Sequence, residues 1–182
     1  MRVIDLELLG AKKIEHQVWA DERGTFIETW NEREFHKLGI TCSFVQDNVS
    51  TSKQWTVRGL HYQVQHPQGK LVRVLAGEIY DVLVDLRRSS ATFGRATGVH
   101  LSAQRAESLW VPPGFAHGFL ALADDTKVAY KVTEFWAPQA ERTLLWNDPE
   151  LGIAWPLPPH VQPIVSSKDA AGAPLHRAET YA

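Results

Sequence analysis

The stretch Gln46-Asp-Asn-Val-Ser-Thr-Ser-Lys-Gln-Trp-Thr-Val-Arg-Gly-Leu-His-Tyr-Gln63 says more about the fold than any other part of this chain. It places Arg58, His61 and several amide side chains on one extended segment. The wall of a β-barrel can point such groups inward, where a histidine can act as a base on a bound ligand. Residues 110–119, Trp-Val-Pro-Pro-Gly-Phe-Ala-His-Gly-Phe, add His117 in an apolar frame. Together the two segments predict an enzyme.

Short strands broken by turn residues are predicted along most of the chain, which favours an all-β sandwich or barrel. A short helix is predicted at residues 32–38, with Asn31 as its N-cap and Gly39 as its C-terminal stop. Many prolines follow residue 137, so residues 138–182 are expected to wrap the barrel as loops and short turns. The predicted strands cover residues 70–76, 78–85, 97–101, 108–111, 116–123 and 127–135.

Length and composition restrict the class of protein. A chain of 182 residues predicts one domain with a sizeable core. The formal charge of -2 gives no strong field to attract nucleic acid or an anionic membrane. Cys42 is the only cysteine, which fits a reducing compartment, and no apolar stretch is long enough to span a bilayer. We therefore expect a cytoplasmic protein.

Side-chain alternation along two predicted strands indicates which groups face the interior. His117 and Phe119 share one face of their strand, while Val128, Tyr130 and Val132 share one face of theirs. His117 and Tyr130 are therefore both expected to face an apolar interior, where the pKa values of acid-base groups are readily perturbed.

Several short motifs, in order along the chain, resemble the dTDP-4-dehydrorhamnose 3,5-epimerase family of dTDP-rhamnose synthesis. The resemblance runs from about residue 21 to residue 174. It is carried by Arg-Gly-Thr-Phe-Ile-Glu (23–28), Gln-Asp-Asn-Val-Ser (46–50), Arg-Gly-Leu-His-Tyr-Gln (58–63), Gly-Lys-Leu-Val-Arg-Val (69–74), Asp-Val-Leu-Val-Asp-Leu-Arg (81–87), Val-Pro-Pro-Gly-Phe-Ala-His-Gly-Phe (111–119), Tyr-Lys-Val-Thr (130–133), Trp-Asn-Asp-Pro (146–149) and Ser-Lys-Asp (167–169).

The resemblance implies a cupin-like jelly-roll barrel, usually a homodimer, that needs no metal or organic cofactor. It also implies a nucleotide-linked 4-keto-6-deoxyhexose as substrate. The ketone at C4 acidifies the hydrogens on C3 and C5. Inversion therefore needs a base, an acid across the sugar ring, and a donor near the C4 oxygen.

Four residues match the catalytic positions of the family. His61 fits the base, because an imidazole is largely neutral at cellular pH. Asp169 is implied to pair with it, fixing the tautomer and stabilising the imidazolium. Tyr130 fits the acid on the far face, and Lys70 fits stabilisation of the enolate oxygen.

Further positions match substrate contacts of the family. Arg58 is expected to assist at the enolate or to hold the diphosphate, since its guanidinium donates in pairs. His117 is expected to contact the sugar, with Asp81 supporting it. Part of the nucleotide site is implied to come from the partner subunit. The remaining matches are Arg23, Phe26 and Glu28 in that shared segment, and Gln46, Asn48 and Lys168 as contacts to thymidine and phosphate.

Two positions depart from the family pattern. Trp136 stands where the family usually has a second tyrosine, so a stacking role on the base survives but a hydroxyl role does not. Trp55 lies near a position where the family favours glycine, and either changes a loop or reshapes the pocket mouth. Both departures bear on which sugar is accepted, whereas the four catalytic positions match the family.

Three alternatives stay open. The first is an epimerase that acts at C3 or C5 only, on a related nucleotide sugar. The second is a metal-dependent cupin, because residues 112–117 resemble one half of its metal motif. The other half of that motif needs a second histidine, which this chain lacks. Tyr62 and Gln63 follow His61, and glutamine is a poor substitute for imidazole as a metal ligand. The third is a sugar-nucleotide-binding protein without activity.

Overall fold

The computed structural model describes residues 1–182 as fourteen strands, two short α-helices and two 3₁₀ turns. Neither α-helix has the length and apolar character of a membrane-spanning segment. The helices are α1 (Glu32–Lys37) and α2 (Ser167–Ala170), and the 3₁₀ turns are Pro138–Ala140 and Leu175–Arg177. The strands are β1 (Arg2–Asp5), β2 (Lys12–Glu15), β3 (Val18–Asp21), β4 (Gly24–Ile27), β5 (Gln46–Ser52), β6 (Thr56–Gln63), β7 (Lys70–Ala76), β8 (Glu78–Asp85), β9 (Ala96–Ser102), β10 (Glu107–Val111), β11 (Phe115–Ala121), β12 (Thr126–Val132), β13 (Glu141–Thr143) and β14 (Ile164–Val165).

Two six-stranded sheets form the body of the protein. The first has the order β1-β2-β10-β7-β12-β5, and the second has the order β13-β6-β11-β8-β9 with β14 also paired to β6. Strands β3 and β4 form a separate hairpin. The prediction of an all-β jelly-roll with a few short helices is confirmed. The two sheets form a sandwich and do not close into a barrel.

The main core lies between the two sheets. It is a cluster of thirteen buried hydrophobic residues, of which eleven come from strands of the two sheets and two, Leu8 and Ala11, from the turn between β1 and β2. Val72, Val74 and Leu109 come from the first sheet, while Leu83 and Phe119 come from the second. Burial of these facing side chains provides the main hydrophobic stabilisation of the fold.

Helix α1 begins and ends where its capping residues predict. The Asn31 side chain accepts hydrogen bonds from the backbone N–H groups of Arg33 and Glu34. Gly39 has φ +80°, and the next residue, Ile40, donates from its N–H to the Phe35 carbonyl at 3.0 Å. This left-handed turn stops the helix at low cost because glycine has no Cβ.

Strand β12 ends three residues earlier than predicted because its two neighbours, β5 and β7, both begin opposite Val132. Val132 is paired with Gln46 on one side and with Lys70 on the other, and each is the first residue of its strand. Beyond Val132 there is no ladder left to join. Residues 133–135 therefore begin the loop that carries Trp136, and the prediction of a strand to residue 135 was wrong.

Strands β6 and β11 approach closely through two glycines. A Cβ on Gly118 would lie 2.4 Å from the Arg58 carbonyl oxygen, and a Cβ on Gly59 would lie 2.7 Å from the Gly118 Cα. The register shifts at this point, with His117 opposite His61 but Phe119 opposite Arg58. One extra residue is therefore accommodated in β6, as in a β-bulge.

The C-terminal segment lies against the second sheet. Strands β13 and β14 both pair with β6, and the penultimate residue, Tyr181, forms a parallel bridge with Arg87. Apart from these short pairings and helix α2, residues 138–182 are loops and turns, as expected. The prediction of a single domain rests on chain length and stays a prediction.

Candidate active site

A cavity of about 660 Å³ opens between the two sheets. Its walls come from β5, β7 and β12 of the first sheet and from β6 and β11 of the second. Most of the side chains predicted for the site meet there: His61, Lys70, Tyr130, Asp169, Gln46, Asn48, Arg58, His117, Trp136 and Lys168.

His61 and Asp169 form a hydrogen-bonded pair at this cavity. The His61 Nε2 atom lies 2.6 Å from the Asp169 Oδ1 atom. The carboxylate side chain is 6% exposed and the imidazole 29% exposed, so only the ring is open to a ligand. If Nε2 carries the proton that Asp169 accepts, Nδ1 keeps the lone pair that a base requires.

Backbone geometry holds the Asp169 carboxylate in place. Its Oδ2 atom accepts a hydrogen bond from the Gly59 N–H at 3.2 Å, and Ser166 caps the helix turn on which it lies. Burial alone would raise the pKa of Asp169, but the hydrogen bonds from His61 and Gly59 outweigh burial and lower it. Asp169 is therefore an ionised acceptor that orients His61.

Lys70 is a buried cation beside the histidine strand. It is 7% exposed, and its Nζ atom donates to the His61 carbonyl oxygen at 3.1 Å. Burial lowers the pKa of Lys70 to about 8, and the negative charges of Asp81 and Glu141 oppose part of that shift. A desolvated ammonium of this kind stabilises negative charge more strongly than an exposed one.

The pKa of Lys70 leads to a prediction on pH dependence. Because burial lowers that pKa, the ammonium is lost at a lower pH than in an exposed lysine. We expect kcat to fall as the pH rises through about 8. Lys70→Met should lower kcat by about 10²-fold and remove this alkaline fall, because one electrostatic donor is lost. A pH–rate profile measures both effects. Lys131→Met is the control, because Lys131 is half-buried, pairs with Asp47 and does not line the cavity, and this variant should keep the fall. An unchanged fall in Lys70→Met would contradict the assignment.

His117 forms a second histidine–carboxylate pair, as expected, with Asp81. The His117 Nε2 atom lies 2.7 Å from the Asp81 Oδ1 atom, and both side chains are buried. Burial lowers the pKa of His117, although Asp81 opposes the shift. A neutral ring that donates from Nε2 to Asp81 has an acceptor at Nδ1. This geometry favours a ligand hydroxyl, rather than a ketone, as the partner of His117.

Tyr130 lies on β12, in the sheet opposite His61. Burial raises the pKa of its phenol, and the nearby Arg58 guanidinium opposes that change. Tyr130 therefore stays protonated at neutral pH and can donate a proton. His61 and Tyr130 therefore line one cavity from different sheets.

Polar side chains surround the rest of the cavity. Arg58 donates from Nε to the Ser52 Oγ atom at 2.9 Å. Lys168 forms an ion pair with Glu141 at 2.7 Å, and both residues line the cavity. The Gln46 amide donates to the Asn48 Oδ1 atom at 2.8 Å. These groups suit a ligand that carries both phosphate charge and a polar base.

Three of the predicted substrate contacts lie outside this cavity. Arg23 and Phe26 are on the β3–β4 hairpin, where Arg23 pairs with Asp21 and Phe26 is 68% exposed beside Trp19. Glu28 follows the hairpin and accepts from the Asn31 side chain. None of these three residues lines the cavity that contains His61, so their assignment depends on a partner subunit.

The two unusual tryptophans have different positions. Trp136 is 57% exposed and lines the cavity. Trp55 does not line it. Its backbone, at φ +62°, donates to the Ala121 carbonyl and accepts from the Ile164 N–H, both at 2.8 Å. Trp55 therefore shapes a turn beside β6, which matches the first of its two expected effects.

The sequence did not identify Glu141, Ser166 or Gln63 as part of the site. Glu141 and Ser166 lie in the proline-rich C-terminal segment, where no periodic pattern predicts which side chains turn inward. Gln63 lies in one of the matched motifs, but its side chain bonds to the backbone of Phe135 and Ala137, in a distant loop that no local pattern connects with it. The structure contains no group of three or more His, Cys, Asp or Glu side chains placed to hold a metal ion.

Comparison with known proteins decides the family. A family model described as dTDP-4-dehydrorhamnose 3,5-epimerase matches residues 5–177. The chain belongs to this family. A dTDP-4-dehydrorhamnose 3,5-epimerase from Pseudomonas aeruginosa is 49% identical over 182 residues, covering 100% of this chain and 99% of that protein. The enzyme of the same name from Methanothermobacter thermautotrophicus is 49% identical over 180 residues, covering 99% and 97%.

Solved structures of two other epimerases have the same fold as this chain. A Legionella pneumophila 3,5-epimerase, in complex with dTDP-4-keto-L-rhamnose, has a TM-score of 0.93 at 45% identity, covering 98% of this chain and 94% of that one. A 3'-monoepimerase from Streptomyces bikiniensis, in complex with dTDP-quinovose, has a TM-score of 0.86 at 32% identity, covering 94% and 86%. The fold alone therefore does not separate epimerases that invert one centre from those that invert two.

Proposed function

We propose that this chain inverts C3 and C5 of dTDP-4-dehydro-6-deoxy-D-glucose to give dTDP-4-dehydro-L-rhamnose. The observation that carries the proposal is the placement of two proton-transfer groups on opposite walls of one cavity. The His61–Asp169 pair lies in the second sheet and Tyr130 lies on a strand of the first. Removal and return of a proton from opposite faces of a sugar ring need this arrangement.

The first step is removal of a proton from a carbon next to the ketone. The lone pair on the His61 ring takes that proton, and the C–H electron pair moves into the carbonyl to form an enolate. The imidazolium that results stays beside the buried Asp169 carboxylate, whose charge stabilises it. Asp169 orients the base and does not itself exchange a proton with the substrate.

Lys70 is proposed to stabilise the negative charge that develops on the C4 oxygen. Its buried ammonium is pre-oriented by the hydrogen bond to the His61 carbonyl. A cation held in a water-poor site needs no rearrangement as the charge forms. Inversion is completed when the Tyr130 phenol protonates the same carbon from the other face. His61 then releases its proton to water and Tyr130 regains one from water, so each inversion balances without an oxidant, reductant or cofactor.

The nucleotide end of the substrate is proposed to occupy the polar side of the cavity. Arg58 and Lys168 provide positive charge for the diphosphate, and binding there would compete with the ion pair between Lys168 and Glu141. Gln46 and Asn48 offer amides for the base, and Trp136 offers an aromatic surface on which it can stack.

A homodimer is the proposed functional unit, with the β3–β4 hairpin completing the partner's nucleotide site. The hairpin pairs with neither sheet and exposes Trp19 by 52% and Phe26 by 68%. Two large aromatic side chains on a detached hairpin favour burial against a second copy of the chain. A cytoplasmic location is also proposed, because the single Cys42 needs no oxidising compartment.

The hairpin proposal predicts that Phe26→Asp weakens both self-association and substrate binding. A charge placed in an apolar interface costs several kcal/mol, so a dimer should dissociate at micromolar concentration. Light scattering after gel filtration measures the mass, and steady-state kinetics measures KM. Leu9→Asp is the matched control, because Leu9 is 63% exposed and its backbone bonds to Thr92 and Arg87 rather than to the hairpin. A fully active wild-type monomer at high dilution would refute the shared site.

Deuterium incorporation tests the reaction itself. Incubation with dTDP-4-keto-6-deoxyglucose in heavy water should label both C3 and C5 and yield the inverted sugar, as followed by NMR and mass spectrometry. Label and inversion at one carbon only would show a single-centre epimerase, a class whose fold this chain also shares. Absence of label at both carbons would refute the proposed substrate. Metal analysis would then test the cupin alternative.

A further inference from the structure

Gln63 is buried at the end of β6 and uses both ends of its amide. It is 2% exposed. Its Nε2 atom donates to the His66 carbonyl at 2.9 Å and to the Phe135 carbonyl at 3.3 Å. Its Oε1 atom accepts from the Ala137 N–H at 2.9 Å. The proposed reaction assigns no step to this side chain.

The bonds of Gln63 flank one residue. They join the backbone immediately before and immediately after Trp136, the exposed tryptophan at the cavity. The N–H of Trp136 itself donates to the Gln46 Oε1 atom at 3.1 Å. The backbone of three consecutive residues in an otherwise irregular loop is therefore hydrogen-bonded by glutamine side chains. Gln63, which is buried, makes two of these three bonds.

The C-terminal tail anchors Gln63 from the other side. The Tyr181 hydroxyl donates to the Gln63 carbonyl at 2.6 Å. Tyr181 is held in turn by backbone bonds to Leu86 and Arg88. The adjacent Tyr62 hydroxyl donates to the Glu179 carbonyl at 2.8 Å, so strand and tail are bonded reciprocally. Burial raises the pKa of both phenols, which keeps them as donors at neutral pH.

We propose that Gln63 is a positioning residue for substrate recognition, which orients Trp136 at the cavity through its hydrogen bonds to the backbone of Phe135 and Ala137. The inference rests on the proposed function, in which Trp136 contacts the nucleotide base. A fixed tryptophan loses little entropy when a base stacks on it, so substrate binding gains affinity. Gln63 does not touch the reacting carbons and should affect binding more than chemistry.

Gln63→Met tests this role because methionine has a similar length and lacks all three hydrogen bonds. We expect KM to rise about tenfold with kcat changed less than about threefold, the pattern for lost uniform binding. The same substitution in a Trp136→Ala background should raise KM less than about twofold, because coupled residues are non-additive. Gln54→Met is the control, since Gln54 also donates to a backbone carbonyl, that of Leu122, but lies off the cavity.

A second measurement is independent of turnover. In protein labelled with 5-fluorotryptophan, the ¹⁹F resonance of Trp136 is assigned from its loss in Trp136→Phe. Gln63→Met should shift or broaden that resonance and leave most of the others in place. If Gln63→Met does not fold, Gln63→Glu replaces it, because the carboxylate can still accept from Ala137 but cannot donate to Phe135.

Three results would overturn the inference: an unchanged Trp136 resonance, an unchanged KM, or an equal rise in KM with and without Trp136. Failure of the proposed function looks different. In that case the wild-type protein itself would show no turnover or binding of the dTDP-sugar, while the ¹⁹F spectra would still report whether Gln63 orients the loop.

Discussion

His61→Ala should lower the rate of epimerisation by about 10³-fold or more, because removal of a general base costs on the order of 10²–10⁴-fold and no other imidazole pairs with Asp169. Binding of dTDP should change by less than about threefold, since the nucleotide contacts proposed above do not include His61. Coupled turnover assays and calorimetric titration with dTDP measure the two quantities separately.

The matched control for this variant is His36→Ala. His36 is exposed on α1 and does not line the cavity. Its replacement should leave turnover unchanged. The His61 variant also leaves the buried Asp169 without one partner, so a loss of about 1–3 kcal/mol in unfolding free energy is expected. Turnover within tenfold of wild type in a folded His61→Ala protein would rule out His61 as the base.

Tyr130→Phe should separate proton removal from proton return. The variant keeps the ring and its packing but lacks the acidic hydroxyl. Exchange of substrate hydrogen with heavy water should continue, while inversion should slow by about 10²-fold because the far face has no donor. NMR measures label and configuration at the same carbon, and so gives the ratio of exchange to inversion directly.

Tyr80→Phe provides the control for loss of a phenol hydroxyl. Tyr80 packs against Trp155 and His100 and does not line the cavity. The control variant should exchange and invert at wild-type rates. If Tyr130→Phe inverts as fast as it exchanges, the proton returns from another group, and Tyr130 would be reduced to shaping the cavity.

The regular parts of the fold were predictable from local sequence. Strands β7 and β8 have the predicted bounds, residues 70–76 and 78–85, with Gly77 between them. Helix α1 follows its Asn31 cap and Gly39 stop. In these segments the signal lies within a few residues, since capping, alternation and a glycine turn are all short-range effects.

Long-range pairing was not predictable in the same way. Strands β1 and β2 are only four residues each and lie at one edge of a sheet, so their weak local pattern gave no signal. The end of β12 depends on where two other strands begin. The ion pair of Glu141 with Lys168 joins residues brought together by the C-terminal segment, and no spacing rule indicates it.

The candidate site was predicted mainly from matched motifs, supported by alternation. His117 and Tyr130 do line one cavity, as their positions in the two strands indicated. The pairing of His61 with Asp169 came from the family resemblance alone, because 108 residues separate them. The hydrogen bonds from Gln63 to the backbone on either side of Trp136 could not be predicted from the sequence, because a side-chain amide can bond to any backbone group within reach.

The register shift in β6 determines how much chemistry one strand can supply. In a regular strand Arg58 and His61, three positions apart, would point to opposite sides of the sheet. The extra residue in β6, where Gly59 approaches Gly118, reverses the alternation of side chains between Arg58 and His61. Both side chains therefore line the same cavity. Under the proposed function, one strand thus supplies both the base for proton transfer and the arginine for anion binding. A substitution that restored regular pairing would leave the base in place but turn its arginine away from the ligand.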